Sequence, residues 1–139
     1  MLRIVVDTNV FISSLIRGGK PRQLIFKIDG VNVKLVSSEP LLKELVSILA
    51  KDKIRRYVSR RDVEEFLKYL GKRMVLVEIK SGFKVVKDDP KDDVVLNTAY
   101  SAKADYIVSG DKHLTSLRRF KSIKVVTANE MLKILGRGN

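Results

Sequence analysis

The stretch Met1-Leu2-Arg3-Ile4-Val5-Val6-Asp7-Thr8-Asn9 decides the architecture. Ile4-Val5-Val6 is a short β-branched run of strand character, and it passes straight into a helix start at Thr8-Asn9 with an aspartate at the junction. Similar runs recur at Val33 to Val36, Met74 to Val77, Tyr106 to Val108 and Ile123 to Val126. Amphipathic stretches separate them: Asn9 to Arg17, Pro21 to Ile28, Glu39 to Lys51, Arg60 to Leu70, Pro90 to Lys103 and Ala128 to Leu135. Strands alternating with helices predict an α/β domain on a mainly parallel sheet of about five strands. Ser59 and Gly71 read as the N-cap and the C-terminal stop of the Arg60 helix. Lys80 to Asp88 has no periodicity and reads as a loop.

A length of 139 residues suits one domain over residues 1–139, with no repeat or linker. The apolar share of 45% and charged share of 32% describe a soluble globular chain, and no apolar run reaches membrane-spanning length. The N-terminus lacks the basic and long apolar regions of a signal peptide, so a cytoplasmic location is expected. The absence of cysteine excludes disulfides, thiolate metal sites and cysteine nucleophiles. With one histidine, His113, a structural zinc site is excluded too, and any catalytic cation must be held mainly by oxygen. No G-x-S-x-G elbow is present to build a serine triad.

In open parallel sheets ligands gather beyond the carboxyl ends of the strands. Asp7 stands there, unless it serves only to cap the following helix. Asp111 repeats that geometry after Tyr106-Ile107-Val108-Ser109-Gly110, where glycine allows a sharp turn; a plain turn-forming Ser-Gly-Asp is the alternative. Strands 1 and 4 are commonly neighbours in doubly wound sheets, which would bring Asp7 and Asp111 together. In Asp88-Asp89-Pro90-Lys91-Asp92-Asp93, helical rotation aligns Asp92 with Val95, Leu96 and Ala99 on the core side and turns Asp93 away. An inward carboxylate is costly unless it is paired or metal-bound. Helix-dipole stabilisation suffices for Asp88 and Asp93. Glu44 lies at the border of the stripe Leu41, Leu42, Leu45, Ile48 and Leu49, where periodicity alone favours a surface glutamate. His113 reads first as a polar loop residue, with metal contact or proton transfer as the lesser alternative.

These acids sit in a strongly basic chain, with 28 Lys plus Arg against 16 Asp plus Glu and a net charge of +12. Lys51, Lys53, Arg55, Arg56, Arg60 and Arg61 form one basic cluster and Arg118, Arg119, Lys121 and Lys124 another, with Tyr57 and Phe120 interleaved as candidate base-stacking rings. Ordinary solvated faces are the competing reading for such clusters. An acidic site on a basic protein fits metal-assisted cutting of a polyanion, with carboxylates for the cation and basic side chains for the phosphates.

The ordered set Val5-Val6-Asp7-Thr8-Asn9-Val10, Ser38-Glu39-Pro40-Leu41-Leu42-Lys43-Glu44-Leu45, Lys53-Ile54-Arg55-Arg56-Tyr57, Asp89-Pro90-Lys91-Asp92-Asp93 and Ala104-Asp105-Tyr106-Ile107-Val108-Ser109-Gly110-Asp111 resembles the PIN domains. More narrowly, it resembles the PIN-family toxins of toxin-antitoxin systems. The resemblance spans nearly the whole chain. It implies a three-layer α/β/α ribonuclease using Mg²⁺ or Mn²⁺, with Asp7, Glu44, Asp92 and Asp111 at the positions of the acidic ligands. Thr8, Asn9 and Ser109 match supporting polar positions, and Asp89 an outer one. It also implies RNA as substrate, a homodimer and a small antitoxin partner. Where many members carry a further aspartate two residues after the one matched by Asp111, this chain has His113, which departs from a two-metal pattern.

Carboxylates sharing a small site repel one another, so at least one should hold a raised pKa until a divalent cation relieves the repulsion. Three readings compete with the nuclease. An aspartate-based phosphatase or receiver domain also places acids at the ends of parallel strands, but the aspartate pair of a haloacid-dehalogenase-like site would need an acid at Asn9. A non-catalytic RNA-binding module would keep the charge but not the cleavage. An antitoxin-bound interaction partner would carry vestigial toxicity.

Overall fold

The computed structural model describes residues 1–29, 32–86 and 89–137. Six strands form one sheet: β1 (Leu2–Val6), β2 (Val33–Ser37), β3 (Met74–Leu76), β4 (Tyr106–Val108), β5 (Arg119–Phe120) and β6 (Ile123–Val126). Their order is β3-β2-β1-β4-β6-β5. β1 is hydrogen-bonded in parallel to both β2 and β4, β2 to β3, and β4 to β6; β5 runs antiparallel to β6. The helices are α1 (Thr8–Ile16), α2 (Gly19–Asp29), α3 (Glu39–Leu49), α4 (Arg60–Arg73), α5 (Pro90–Ser101), α6 (Lys112–Thr115) and α7 (Ala128–Arg137).

Alternation along each strand divides the core into two layers. Ile4, Val6, Leu35 and Val108 pack with Val10 and Phe11 of α1, Leu24 and Ile28 of α2, Leu70 of α4 and Met131 of α7. Val5, Val36, Ile107 and Val125 pack on the opposite face with Leu41 of α3, Val95, Leu96 and Ala99 of α5, and Leu114 of α6. The result is the expected three-layer α/β/α arrangement. The chain steps outward from β1 through β2 to β3 and then returns to the other side of β1 with β4. That reversal opens a crevice at the carboxyl ends of β1 and β4.

Several local expectations need correction. Gly71 does not stop α4, which runs through it to Arg73 and feeds directly into β3. Gly71 has no left-handed backbone and a side chain there would meet nothing, so the change of direction occurs at Met74, which is extended. Gly110 is likewise outside the left-handed region, so the turn into Asp111 does not depend on glycine. Gly18 and Gly19, with φ of 81° and 65°, are the positions that do need glycine; they turn the chain from α1 into the first residue of α2. α3 ends at Leu49 rather than Lys51, followed by a 3₁₀ turn at Asp52–Arg56. His113 lies in α6, where a loop was expected.

Ser59 caps α4 as expected, its hydroxyl accepting the Asp62 N–H at 3.1 Å. Ser59→Ala should therefore cost about 1 kcal/mol of stability, read as a lower urea midpoint at unchanged slope. α7 opens with a reciprocal pair in which Thr127 Oγ1 accepts the Glu130 N–H at 3.1 Å and Glu130 Oε1 accepts the Thr127 N–H at 3.0 Å.

Residues 77–86 have no regular structure; Lys87 and Asp88, the end of the expected loop, lie outside the described residues. This segment is anchored to α5. Asn97 accepts from Ser81 Oγ and the Phe83 N–H, and donates to the Phe83 and Asp93 carbonyls. Asp93 Oδ1 accepts the Val85 and Val86 N–H groups, both at 2.9 Å. Asp93 is thus a tether beyond any dipole role. Phe83 meets Phe120 edge-on with ring centroids 5.4 Å apart, and Phe120 is buried. Phe120 is core and has no face free to stack on a base; Tyr57 stays exposed.

Candidate metal centre

The carboxylates arrive at one edge of the sheet from four elements. Asp7 follows β1 at the helix start, yet its side chain makes no capping hydrogen bond to α1. Instead it is buried, and Ser109 Oγ donates to its Oδ2 at 2.8 Å. Ser109, fully buried after β4, also accepts the Asp111 N–H at 3.0 Å, so one hydroxyl ties the ends of β1 and β4 together. Asp111 caps the short α6 through its Oδ1, which accepts the His113 N–H at 2.8 Å.

Of the aspartates leading into α5, Asp89 caps the helix by accepting the Lys91 N–H at 3.0 Å. Asp92 faces inward, is 4% exposed, and its Oδ2 is buried without a hydrogen-bond partner. Glu44 is half-buried on α3. The Ser38 hydroxyl at the start of α3 meets the Thr98 hydroxyl of α5 at 2.8 Å, a buried link that sets the helix carrying Glu44 against the one carrying Asp92.

Single donor atoms from Asp89, Asp92, Asp111 and His113 lie within 4.8 Å of one another. Asp89, expected as an outer residue, is inside that tight group. Asp7 stands outside it but close enough for its charge to act on Asp92, and Glu44 close enough to act on Asp7. Burial raises the Asp7 pKa, the Ser109 hydroxyl and Thr8 amide oppose the rise, and the charges of Glu44 and Asp111 add to it. Asp92 is pushed up to about 7, first by burial and then by Asp111, Asp89 and Asp7. Burial and mutual repulsion thus oppose full ionisation of these carboxylates.

The donor set suits a hard divalent cation, which would give the orphaned Asp92 oxygen its partner. Beside it lies a cleft of about 430 Å³ lined by Asn9, Ser13, Ser109, Gly110, Asp111 and Thr127, among others. Asn9 is exposed to this cleft, whereas Thr8 is buried. Arg118 is near enough to Glu130, at the start of α7, to help lower its pKa after the Thr127 hydrogen bonds. Lys53, Arg56, Arg60, Arg118 and Arg119 are exposed. Arg55 is half-buried, donating to the Leu49 carbonyl at 3.2 Å, and Arg61 pairs with Glu65 at 3.3 Å.

Asn97 has no signal in the sequence and Asp93 shows only a dipole role there, since the partners of both lie in a segment without periodicity. His113, for which metal contact is the lesser reading beside a polar loop residue, stands in the tight group with the acids.

An α/β sandwich with carboxylates converging at the sheet's topological switch is an arrangement with the donor atoms to hold a divalent cation. The PIN domain family model matches residues 3–113. An uncharacterized protein of Methanocaldococcus jannaschii, MJ1680, is 35% identical over 122 residues, covering 84% of this chain and 76% of its own length. The chain belongs to the PIN-domain family, whose members are generally nucleases that use divalent metals. No helix among the described residues is long and apolar enough to cross a membrane.

Proposed function

We propose that this protein is a metal-dependent endoribonuclease, acting as one domain over residues 1–139, with Asp7, Asp92 and Asp111 as direct carboxylate ligands and Glu44 as a direct or water-bridged one. The observation that carries this reading is the buried, unpartnered Asp92 Oδ2 amid Asp7, Asp89 and Asp111 on a chain of net charge +12. A structural carboxylate left without a partner costs stability, and function is the usual reason for keeping one. When bound, Mg²⁺ or Mn²⁺ would activate a water for attack on phosphorus and stabilise the charge that develops on the phosphate and leaving oxygen.

The chain's own residues supply the rest. Ser109 holds the Asp7 carboxylate and the Asp111 backbone in register across β1 and β4. The link from Ser38 to Thr98 sets α3 against α5. The exposed Lys53, Arg56, Arg60, Arg118 and Arg119 would bind phosphates and position the strand without reading bases. The toxin role, a small antitoxin and a homodimer are the narrower form of this proposal and rest on family likeness. It predicts that the chain expressed alone arrests growth.

The test is cleavage of labelled single-stranded RNA with Mg²⁺, with Mn²⁺ and with chelator, by wild type and Asp7→Asn. Metal-dependent cutting lost in Asp7→Asn supports the nuclease. Binding without cutting, unaffected by the substitution, supports a non-catalytic RNA-binding module instead.

The electrostatic half of the proposal carries its own prediction. Arg119→Ala should weaken RNA binding for every sequence tested and lower the slope of log affinity against log salt by about 0.7 if one phosphate contact is lost. Arg118→Asn should do the same, and asparagine tolerates the left-handed backbone, φ 59°, found at Arg118. Binding titrations across a salt series measure both.

A further inference from the structure

We propose that the His113 imidazole is a nitrogen donor to the cation held by Asp92 and Asp111, making this a mixed oxygen and nitrogen centre that favours Mn²⁺ or Co²⁺ over Mg²⁺. The inference rests on the reading of these carboxylates as a divalent-cation site and concerns what completes it.

The geometry carries it. His113 Nδ1 lies 3.8 Å from Asp111 Oδ1 and 3.9 Å from Asp92 Oδ2. Both separations exceed a hydrogen bond, so the ring nitrogen is bonded to neither oxygen. They match atoms that share a partner: with bonds of about 2.1 Å in an octahedral shell, donors on one ion stand roughly 3 to 4 Å apart. The second observation is independent of the clustering. Asp92 is 96% removed from solvent by its 4% exposure, and its Oδ2, one of the two oxygens that the imidazole approaches, has no hydrogen-bond partner. An oxygen buried in that condition calls for a partner, and a bound cation would supply one.

The backbone fixes His113 in this position. Its N–H is held by Asp111 Oδ1 at 2.8 Å, and its carbonyl accepts from Ser116 Oγ at 3.3 Å. One ion ligand, Asp111, thereby anchors the residue that bears the other. The His113 side chain is 60% exposed, so the far ring nitrogen can carry the hydrogen in solvent while Nδ1 presents its lone pair inward.

Donor chemistry gives the consequence. Carboxylates and water suit Mg²⁺, whereas an imidazole adds affinity for later transition metals and little for Mg²⁺. An aspartate in place of His113 would add negative charge and shift the balance back toward Mg²⁺.

The experiment is calorimetric titration of the full chain with Co²⁺ and with Mg²⁺, in the absence of RNA, for wild type, His113→Gln, His113→Asp and Asp92→Asn. Thermal melts verify that each variant folds. His113→Gln should weaken Co²⁺ binding by about 10- to 100-fold, the scale on which even supporting residues of metal sites act, while changing Mg²⁺ binding little. His113→Asp should reverse the preference. Because the chain has one histidine, nitrogen NMR of the ring gives a second readout: Zn²⁺ should move the Nδ1 resonance in wild type and leave it unmoved in Asp92→Asn. Unchanged Co²⁺ affinity in His113→Gln, with binding still lost in Asp92→Asn, overturns the donor role and leaves the carboxylate centre standing. Equal binding by wild type and Asp92→Asn overturns both.

Discussion

Asp92→Asn should abolish metal-dependent RNA cleavage, by at least about 10²- to 10³-fold, the range seen when one group stabilising transition-state charge is removed, and at the same time make the metal-free protein more stable. The two effects have one cause. Asp92 is a buried carboxylate whose Oδ2 has no partner and whose ionisation is opposed by burial and by Asp111, Asp89 and Asp7. Asparagine removes the charge while keeping the shape. At pH 8, where the wild-type group must ionise, the variant escapes that cost, and its melting temperature should rise by several degrees, at about 3 °C per kcal/mol for a chain of this size. Added Mn²⁺ should raise the wild-type melting temperature and leave the variant's unchanged. A variant less stable than wild type at pH 8 would mean that Asp92 is a structural residue. Loss of activity with gain of stability is the signature of a site selected for function.

The metal-free protein should lose stability as the pH rises from about 4 to about 7. An acid whose folded pKa lies above its unfolded value keeps its proton in the native state while the unfolded chain has already released it. Stability is therefore fully present below the unfolded value and declines until the folded value is passed. For Asp92, raised from 3.8 to about 7, the loss amounts to on the order of 4 kcal/mol across that window. Asp7, raised by burial, acts with the same sign. These carboxylates titrate as a coupled group, so the decline belongs to the centre as a whole. Saturating Mn²⁺ binds the ionised form and should flatten the profile, so its stabilising effect is larger at pH 8 than at pH 5. Chemical denaturation at pH 5, 6, 7 and 8, with metal and with chelator, measures this. A metal-free profile that rises over the same interval would contradict the assigned origin of the Asp92 shift.

The strands were legible because each is a β-branched run, and Tyr106–Val108 and Ile123–Val126 have the expected ends. β5 was not, since two residues carry no period and Arg119-Phe120 sits in a run of basic residues that reads as charge. α6 has four residues, too few for a helical repeat, and its start is set by Asp111 capping His113. Gly71 misled because a glycine near a helix end is a stop only when the chain turns left-handed there. Phe120 misled because spacing among arginines says nothing of the Phe83 ring that buries it.

The candidate site divides in the same way. Rotation about α5 places Asp92 on the core side, and the structure buries it there. That its Oδ2 lacks a partner is a property of three dimensions, as is the Ser109 hydroxyl joining Asp7 to the Asp111 backbone. Asp7 could equally have been a helix cap on sequence grounds; in the structure its carboxylate takes the Ser109 hydroxyl and makes no N-cap bond to α1. Glu44 remained ambiguous by periodicity, and only its charge acting on Asp7 links it to the centre.

The decisive measurement is the position of Mn²⁺, by its anomalous scattering, in crystals of the wild-type protein equilibrated with the ion at a concentration that supports cleavage. The expected result is Mn²⁺ bonded to Asp92 Oδ2 at the carboxyl edge of β1 and β4, with carboxylate oxygens of Asp7 and Asp111 as neighbouring ligands. Crystals that show Asp92 Oδ2 still unpartnered, with Mn²⁺ elsewhere or absent, would contradict the assignment of this carboxylate cluster as the catalytic centre.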